Sequence, residues 1–223
     1  GLQNFTCDAS ESESSLIVRE LLKEITIKVA ASTPGWSGRA VGTALYGLRG
    51  VSSEVLEVRT LLSVLLEKFD SEVTDFALNP QAIGNALYGL QQMDNAHDEV
   101  TDMLGFLRDK VMTCEARSFK SQEVSNALYG LHNMTVTSQG AEVSNLLHVL
   151  NDKIHECSSE FSGQEIGNSL YGLQSMSSNN EAVRDVLESL TLKVENSTSV
   201  MSPQEISNSI FGLRKMSAEE PVR

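Results

Sequence analysis

The chain has 223 residues, of which 40% are hydrophobic, and a formal net charge of −13 from 17 basic and 30 acidic side chains. This composition excludes a disordered polymer, and no run of about 18 apolar residues offers a membrane-spanning helix. The negative balance opposes unaided attraction to phosphate backbones or anionic lipid, so a soluble, folded chain is expected.

Residues 1–14 read as a flexible N-terminal segment. Gly1, Leu2 and Gln3 provide neither an initiator methionine nor the apolar core of a signal peptide. A processed or trimmed start is expected. A first long helix follows over about Ser15–Ala31, its apolar residues Val18, Leu22, Ile25 and Val29 spaced i, i+4, i+7, i+11. The segment AVGTALYGLRGV then begins at Ala40, and four relatives of it follow: AIGNALYGLQQM, EVSNALYGLHNM, EIGNSLYGLQSM and EISNSIFGLRKM. Their first core residues, Val41, Ile83, Val124, Ile166 and Ile206, are separated by 42, 41, 42 and 40 residues. A period of this size marks a stacked array of repeats.

Inside each segment the apolar spacing is i, i+4, i+7, i+10, as in Ile83, Leu87, Leu90 and Met93. This is a shorter helix. Long helices of the first kind recur between the short ones, for example Val100, Leu104, Leu107, Val111 and Val183, Leu187, Leu190, Val194. Links such as Met176–Asn180 or Asn133–Ser138 suit antiparallel hairpins. The predicted architecture is an all-α solenoid of about five helix hairpins over residues 15–216, closed by a short helix at about Pro203–Met216 and a 217–223 tail. The array opens on a long helix and closes on a short one, so each end lacks its hairpin partner; these are caps, or the array continues.

The short helices begin on capping boxes, Ser162–Glu165 and Ser202–Glu205, with Pro80 and Pro203 at the first helical position. A large apolar residue precedes each cap (Trp36, Leu78, Phe119, Phe161, Met201), five residues before the first core position, as in a hydrophobic staple.

Beyond the core stripe, three columns repeat. Gly47, Gly89, Gly130, Gly172 and Gly212 stand where the pattern predicts mid-helix, each costing about 0.5–1 kcal/mol against alanine, so close approach of the next repeat's helix is expected to offset the cost. Asn85, Asn126, Asn168 and Asn208 either cap buried backbone or bond to a neighbouring repeat, or form a ladder that touches a ligand; their identity from repeat to repeat favours packing. Tyr46, Tyr88, Tyr129, Tyr171 and Phe211 either pack or stack on bases, and the phenylalanine makes the ring the constant feature. Variation is confined to the pairs Arg49-Gly50, Gln91-Gln92, His132-Asn133, Gln174-Ser175 and Arg214-Lys215, which are the expected partner-reading positions. Gln91→Ala is accordingly expected to leave stability unchanged.

Cys7, Cys114 and Cys157 form no CxxC pattern, and buried free thiols are expected. His155 near Cys157 has no further ligand or orienting acid close by, and His97, His132 and His148 read as scattered surface residues. No metal, cofactor or catalytic site is expected, since HExxH, GxSxG and P-loop patterns are missing. The sequons at Asn4, Asn133 and Asn196 would matter only in a secretory compartment.

The segment S-P-Q-E-I-S-N-S-I-F-G-L and its four relatives resemble octotricopeptide repeats, whose first helix reads roughly P-Q-E-L-A-N-x-L-W-A-L. They are also similar to repeats of FASTK/RAP-type organellar proteins and to ALYGLQ arrays of algal lineages. The resemblance implies an α-solenoid in an organelle, a plastid before a mitochondrion, and most often an RNA ligand. Here glycine stands where that pattern carries a small alanine. Acidic residues gather on the long helices, as in Glu54, Glu57, Glu67, Asp70 and Glu72 against Arg59 and Lys68, and no lysine or arginine stripe is evident from repeat to repeat. The expected function is a non-enzymatic scaffold or accessory subunit that binds a protein partner in an organellar assembly, photosynthetic or respiratory. The alternative is an RNA-binding expression factor of octotricopeptide type.

Overall fold

The computed structural model describes residues 13–71, 77–115, 117–136 and 141–217. Asn4, Cys7, Glu72, Ser138, most of the expected N-terminal segment and most of the C-terminal tail lie outside them.

Ten helices and no strand occur among the described residues, and they form two layers. The long helices are α1 (Glu13–Ala30), α3 (Leu56–Asp70), α5 (Asp98–Thr113), α7 (Ala141–Glu156) and α9 (Glu181–Glu195). The short ones are α2 (Gly38–Tyr46), α4 (Pro80–Gly89), α6 (Ser121–Tyr129), α8 (Gly163–Tyr171) and α10 (Pro203–Gly212). Each helix packs on the next of its own class, α1 on α3 on α5 and α2 on α4 on α6, so the chain is an α-solenoid. No helix of the described residues is long and apolar enough to cross a membrane.

Local chemistry accounts for the helix starts. Ser37 and Asn79 accept the backbone N–H of Ala40 and Ala82, at 3.2 and 2.8 Å. Ser162 and Ser202 complete reciprocal boxes with Glu165 and Glu205. At α6 the capping position holds Lys120, which has no acceptor; there the Glu123 carboxylate alone takes the Lys120 N–H, at 3.0 Å.

The helix ends differ from expectation. The α-helical part of each short helix stops at the repeated tyrosine or glycine, so the glycines are terminal and not mid-helix. Beyond that point the chain tightens into i→i+3 turns, with Leu48 N–H on Leu45 C=O and Val51 N–H on Leu48 C=O. A 3₁₀ turn has three residues, which is why the final apolar steps (Leu45, Leu48, Val51) are three apart.

The core runs unbroken between the layers. Val41, Ile83, Val124 and Ile166 are buried, as are Leu62, Leu104, Leu147 and Leu190. Fully burying one such side chain contributes about 1.5–3 kcal/mol. At α10 the apolar face is open: Ile206 is 45% and Ile210 67% exposed, and no further helix of the described residues covers them. Outside the core, ion pairs tie successive long helices, Lys23 to Glu57, Arg59 to Glu99 and Arg108 to Glu142.

Candidate functional site

The repeated glycines set the spacing of the short-helix layer. A Cβ built on Gly89, Gly130, Gly172 or Gly212 would overlap the carbonyl of Leu45, Leu87, Leu128 or Leu170, each in the preceding repeat. Close approach is therefore the glycines' role, and it is directed backward along the array. Gly130 has φ −59° and ψ −20°, ordinary helical values, so proximity and not backbone freedom selects glycine. On the opposite side, Gly42, Gly84 and Gly167 meet Ala82, Glu123 and Glu205 of the following repeat.

That spacing stacks the rings. Tyr46, Tyr88, Tyr129, Tyr171 and Phe211 form one column with centroids 5.7, 5.3, 5.5 and 5.7 Å apart and planes within 24° of parallel. Both faces of Tyr88, Tyr129 and Tyr171 are taken by neighbouring rings, so no base can slide between them. Burial, and then the neighbouring tyrosines, push the Tyr129 phenol above its usual range.

The variable pairs divide into two kinds. Their first members line the aromatic column: Arg49 and Arg214 lie 4.6 and 4.4 Å over Tyr46 and Phe211, and His132 sits against both Tyr129 and Tyr171. Gln91, His132 and Gln174 are buried, which corrects the expectation that they face a partner. Three of the second members act as struts. Asn133 donates to Gln91 C=O at 2.9 Å, Ser175 to His132 C=O at 2.7 Å, and Lys215 to Ser175 C=O at 3.4 Å. Arg214 donates to Gln174 C=O at 3.2 Å. Gln92 remains exposed with no such bond. The His132 imidazole sits 2.8 Å from Tyr129 C=O, and burial holds its pKa below the ordinary histidine value despite that bond.

Contrary to the expectation of no repeated cation, a lysine column runs through the long helices at Lys28, Lys68, Lys110, Lys153 and Lys193. Three members reach the carbonyl that follows the preceding long helix: Lys68 to Ser32 at 3.2 Å, Lys153 to Cys114 at 3.0 Å, Lys193 to Cys157 at 2.7 Å. An ammonium there meets the negative end of the helix dipole. These three lysines are spent on structure.

The asparagines reverse an expectation. Asn85, Asn126 and Asn168 are half-exposed and make no bond to a neighbouring repeat. Asn208 accepts only from Gln204 on its own helix, at 2.9 Å. One turn before each stands an exposed Gln81, Gln122, Gln164 or Gln204, with Arg39 and Thr43 in the first repeat. Each short helix from α4 to α10 thus shows a Gln–Asn–aromatic stripe to the open side, and α2 an Arg–Thr–Tyr one. Between α2 and α4 this side is a polar concavity of about 590 Å³ lined by Arg39, Thr43, Asn79, Gln81 and Asn85. Beside the stripe lie Glu123, Glu165 and Glu205; hydrogen bonds from Ser202 hold the Glu205 carboxyl below the usual range.

The thiols of Cys114 and Cys157 are free, Cys114 being half-buried and Cys157 buried. Burial pushes the Cys114 thiol up. His97, expected to be scattered, instead lies 3.8 Å from Glu54, with Asp94 completing a trio whose ligand atoms fall within 4.8 Å. Asp94 already accepts the Ala96 N–H, which closes its hairpin loop.

Comparisons with protein-family models, curated proteins and solved structures return no match.

Proposed function

We propose that the chain is a non-enzymatic helical-repeat scaffold that binds a protein partner within a larger assembly. One observation carries this reading: the face open to a partner repeats a Gln–Asn pair from α4 onward and repeats no cation, whereas Lys68, Lys153 and Lys193 of the long helices are bonded to helix-end carbonyls. An RNA binder neutralises several phosphates with lysine and arginine, and counterion release then supplies most of its non-specific affinity. Here Lys68, Lys153 and Lys193 of the long helices are already engaged, and the chain carries a net −13. The aromatic column offers no gap for a base. The likeness of the repeats to octotricopeptide-type arrays supports an organellar setting, a plastid before a mitochondrion.

Filter binding at about 150 mM salt against a pool of organellar transcripts tests the partner class. Weak, unselective retention is expected; sub-micromolar, salt-sensitive retention of one transcript would overturn the scaffold reading in favour of RNA. In the native assembly, a photo-crosslinker at Gln122 is expected to attach to protein.

A further inference from the structure

We infer that the open face of the short helices binds the main chain of an extended polypeptide segment rich in lysine or arginine, through the amides of Gln81, Asn85, Gln122, Asn126, Gln164 and Asn168. This rests on the protein-scaffold reading and specifies its partner.

The amides come first. A carboxamide presents one carbonyl and one NH₂, the same complement as a peptide group, so it can accept from a peptide N–H and donate to a peptide C=O. Asn85, Asn126 and Asn168 leave this capacity unused within the chain, although each is half-covered by its surroundings.

Their constancy then identifies what they read. A ladder that does not change from repeat to repeat matches a ligand feature that does not change along its length. Bases and side chains vary; a polypeptide main chain does not. A sugar-phosphate chain is equally regular, but it calls for a cation in each repeat, and the lysine column lies elsewhere. A helical ligand is no better, since its peptide groups are satisfied internally. An extended segment leaves them free.

Dimensions and charge agree. Packed helices lie roughly 8–10 Å apart, and an extended chain advances about 3.3 Å per residue, so each repeat meets two to three ligand residues. Gln81 and Asn85 already line the concavity between α2 and α4. Glu123 and Glu165 follow Gln122 and Gln164; one oxygen of each carboxylate accepts a cap N–H, from Lys120 at 3.0 Å and Ser162 at 2.8 Å, so each stays at its helix N-terminus and keeps its negative charge there. A basic segment complements them.

The test uses the full chain at about 150 mM salt and four labelled probes: the peptide (Lys-Ala)₆, the same peptide N-methylated at its alanines, (Glu-Ala)₆, and a 12-nucleotide uridine RNA. The protein should bind (Lys-Ala)₆ and reject (Glu-Ala)₆. N-methylation of the peptide, or the uncharged triple substitution Asn85→Ala/Asn126→Ala/Asn168→Ala in the protein, should each weaken binding about 10- to 100-fold, the loss of several hydrogen bonds of ordinary strength. The triple variant should melt no lower than wild type, because these amides hold nothing in the fold; the N-methyl comparison uses wild-type protein and stands whatever the variant does. Equal binding of the N-methylated peptide would reduce the contact to bulk charge and overturn the inference. So would failure to bind (Lys-Ala)₆ while the Gln122 crosslinker still captures a protein; in either case the scaffold reading survives. RNA binding abolished by the triple substitution would overturn both.

Discussion

Gly130 lies against the carbonyl of Leu87, one repeat back, with no room for a Cβ between them. The same relation joins Gly89 to Leu45, Gly172 to Leu128 and Gly212 to Leu170. Gly47 belongs to the first short helix, and its nearest atom is its own helix's Ala44 carbonyl at 3.1 Å. The two sites share a sequence context but not a neighbour. Gly130→Ala should therefore destabilise by about 1–3 kcal/mol through overpacking. Gly47→Ala, at helical dihedrals that alanine adopts freely, should stay within about 1 kcal/mol of wild type. Paired urea melts check this, and equal losses at both sites would refute contact between repeats as the glycines' role.

The lysine column gives a second matched pair. Lys153 is 8% exposed and donates to Cys114 C=O, whereas Lys28, in the first of the described long helices, is exposed and reaches no carbonyl among the described residues. Lys153→Met keeps the aliphatic stem and removes the charge and the bond. It should cost about 1–2 kcal/mol, and Lys28→Met less than about 0.5 kcal/mol. Chemical denaturation distinguishes them.

Gln91 and Gln92 are adjacent, polar and alike in sequence, yet Gln91 is buried and Gln92 is exposed. Gln91→Ala should lose about 1 kcal/mol and Gln92→Ala under about 0.5 kcal/mol. Thermal melts of the two variants measure the difference.

Much of this was legible in the sequence because it follows from local periodicity. Val41, Leu45 and Leu48 announce a helix face, and Ser162 with Glu165 announces its start. The three-residue step from Leu48 to Val51 even carries the tightening into 3₁₀ turns, although the stripe alone fits a continuous helix. What was hidden depends on the neighbouring repeat. Lys153 looks like a solvated charge until Cys114 C=O is placed beside it. His132 looks like surface because it is polar and variable, until Tyr129 and Tyr171 close over it. Asn126 looked like a strut because it is invariant; its open amide becomes visible only once the neighbouring backbone is seen to be satisfied without it.

His132 links this burial to pH. Its imidazole is enclosed by Tyr129 and Tyr171, and it faces Tyr129 C=O at 2.8 Å. The neutral ring suits that place, with Nδ1–H donating. Burial lowers the folded-state pKa below the unfolded value of about 6.5. The unfolded chain therefore binds more protons as pH falls through that range, and stability must rise with pH there. The contribution is fully present above the unfolded pKa and is lost as pH drops toward the folded one. Glu205, whose carboxyl is held down by Ser202, acts in the same direction but at lower pH, below the ordinary carboxylate value. A melting series should thus show two separate losses on acidification, an upper one beginning just below about pH 6.5 and a lower one in the carboxylate range. His132→Gln, which keeps a polar group of similar reach but cannot take up a proton in this range, should abolish the upper loss and leave the lower one in place. Persistence of the upper loss in that variant would show that some other group, and not the histidine within the aromatic column, carries the pH response.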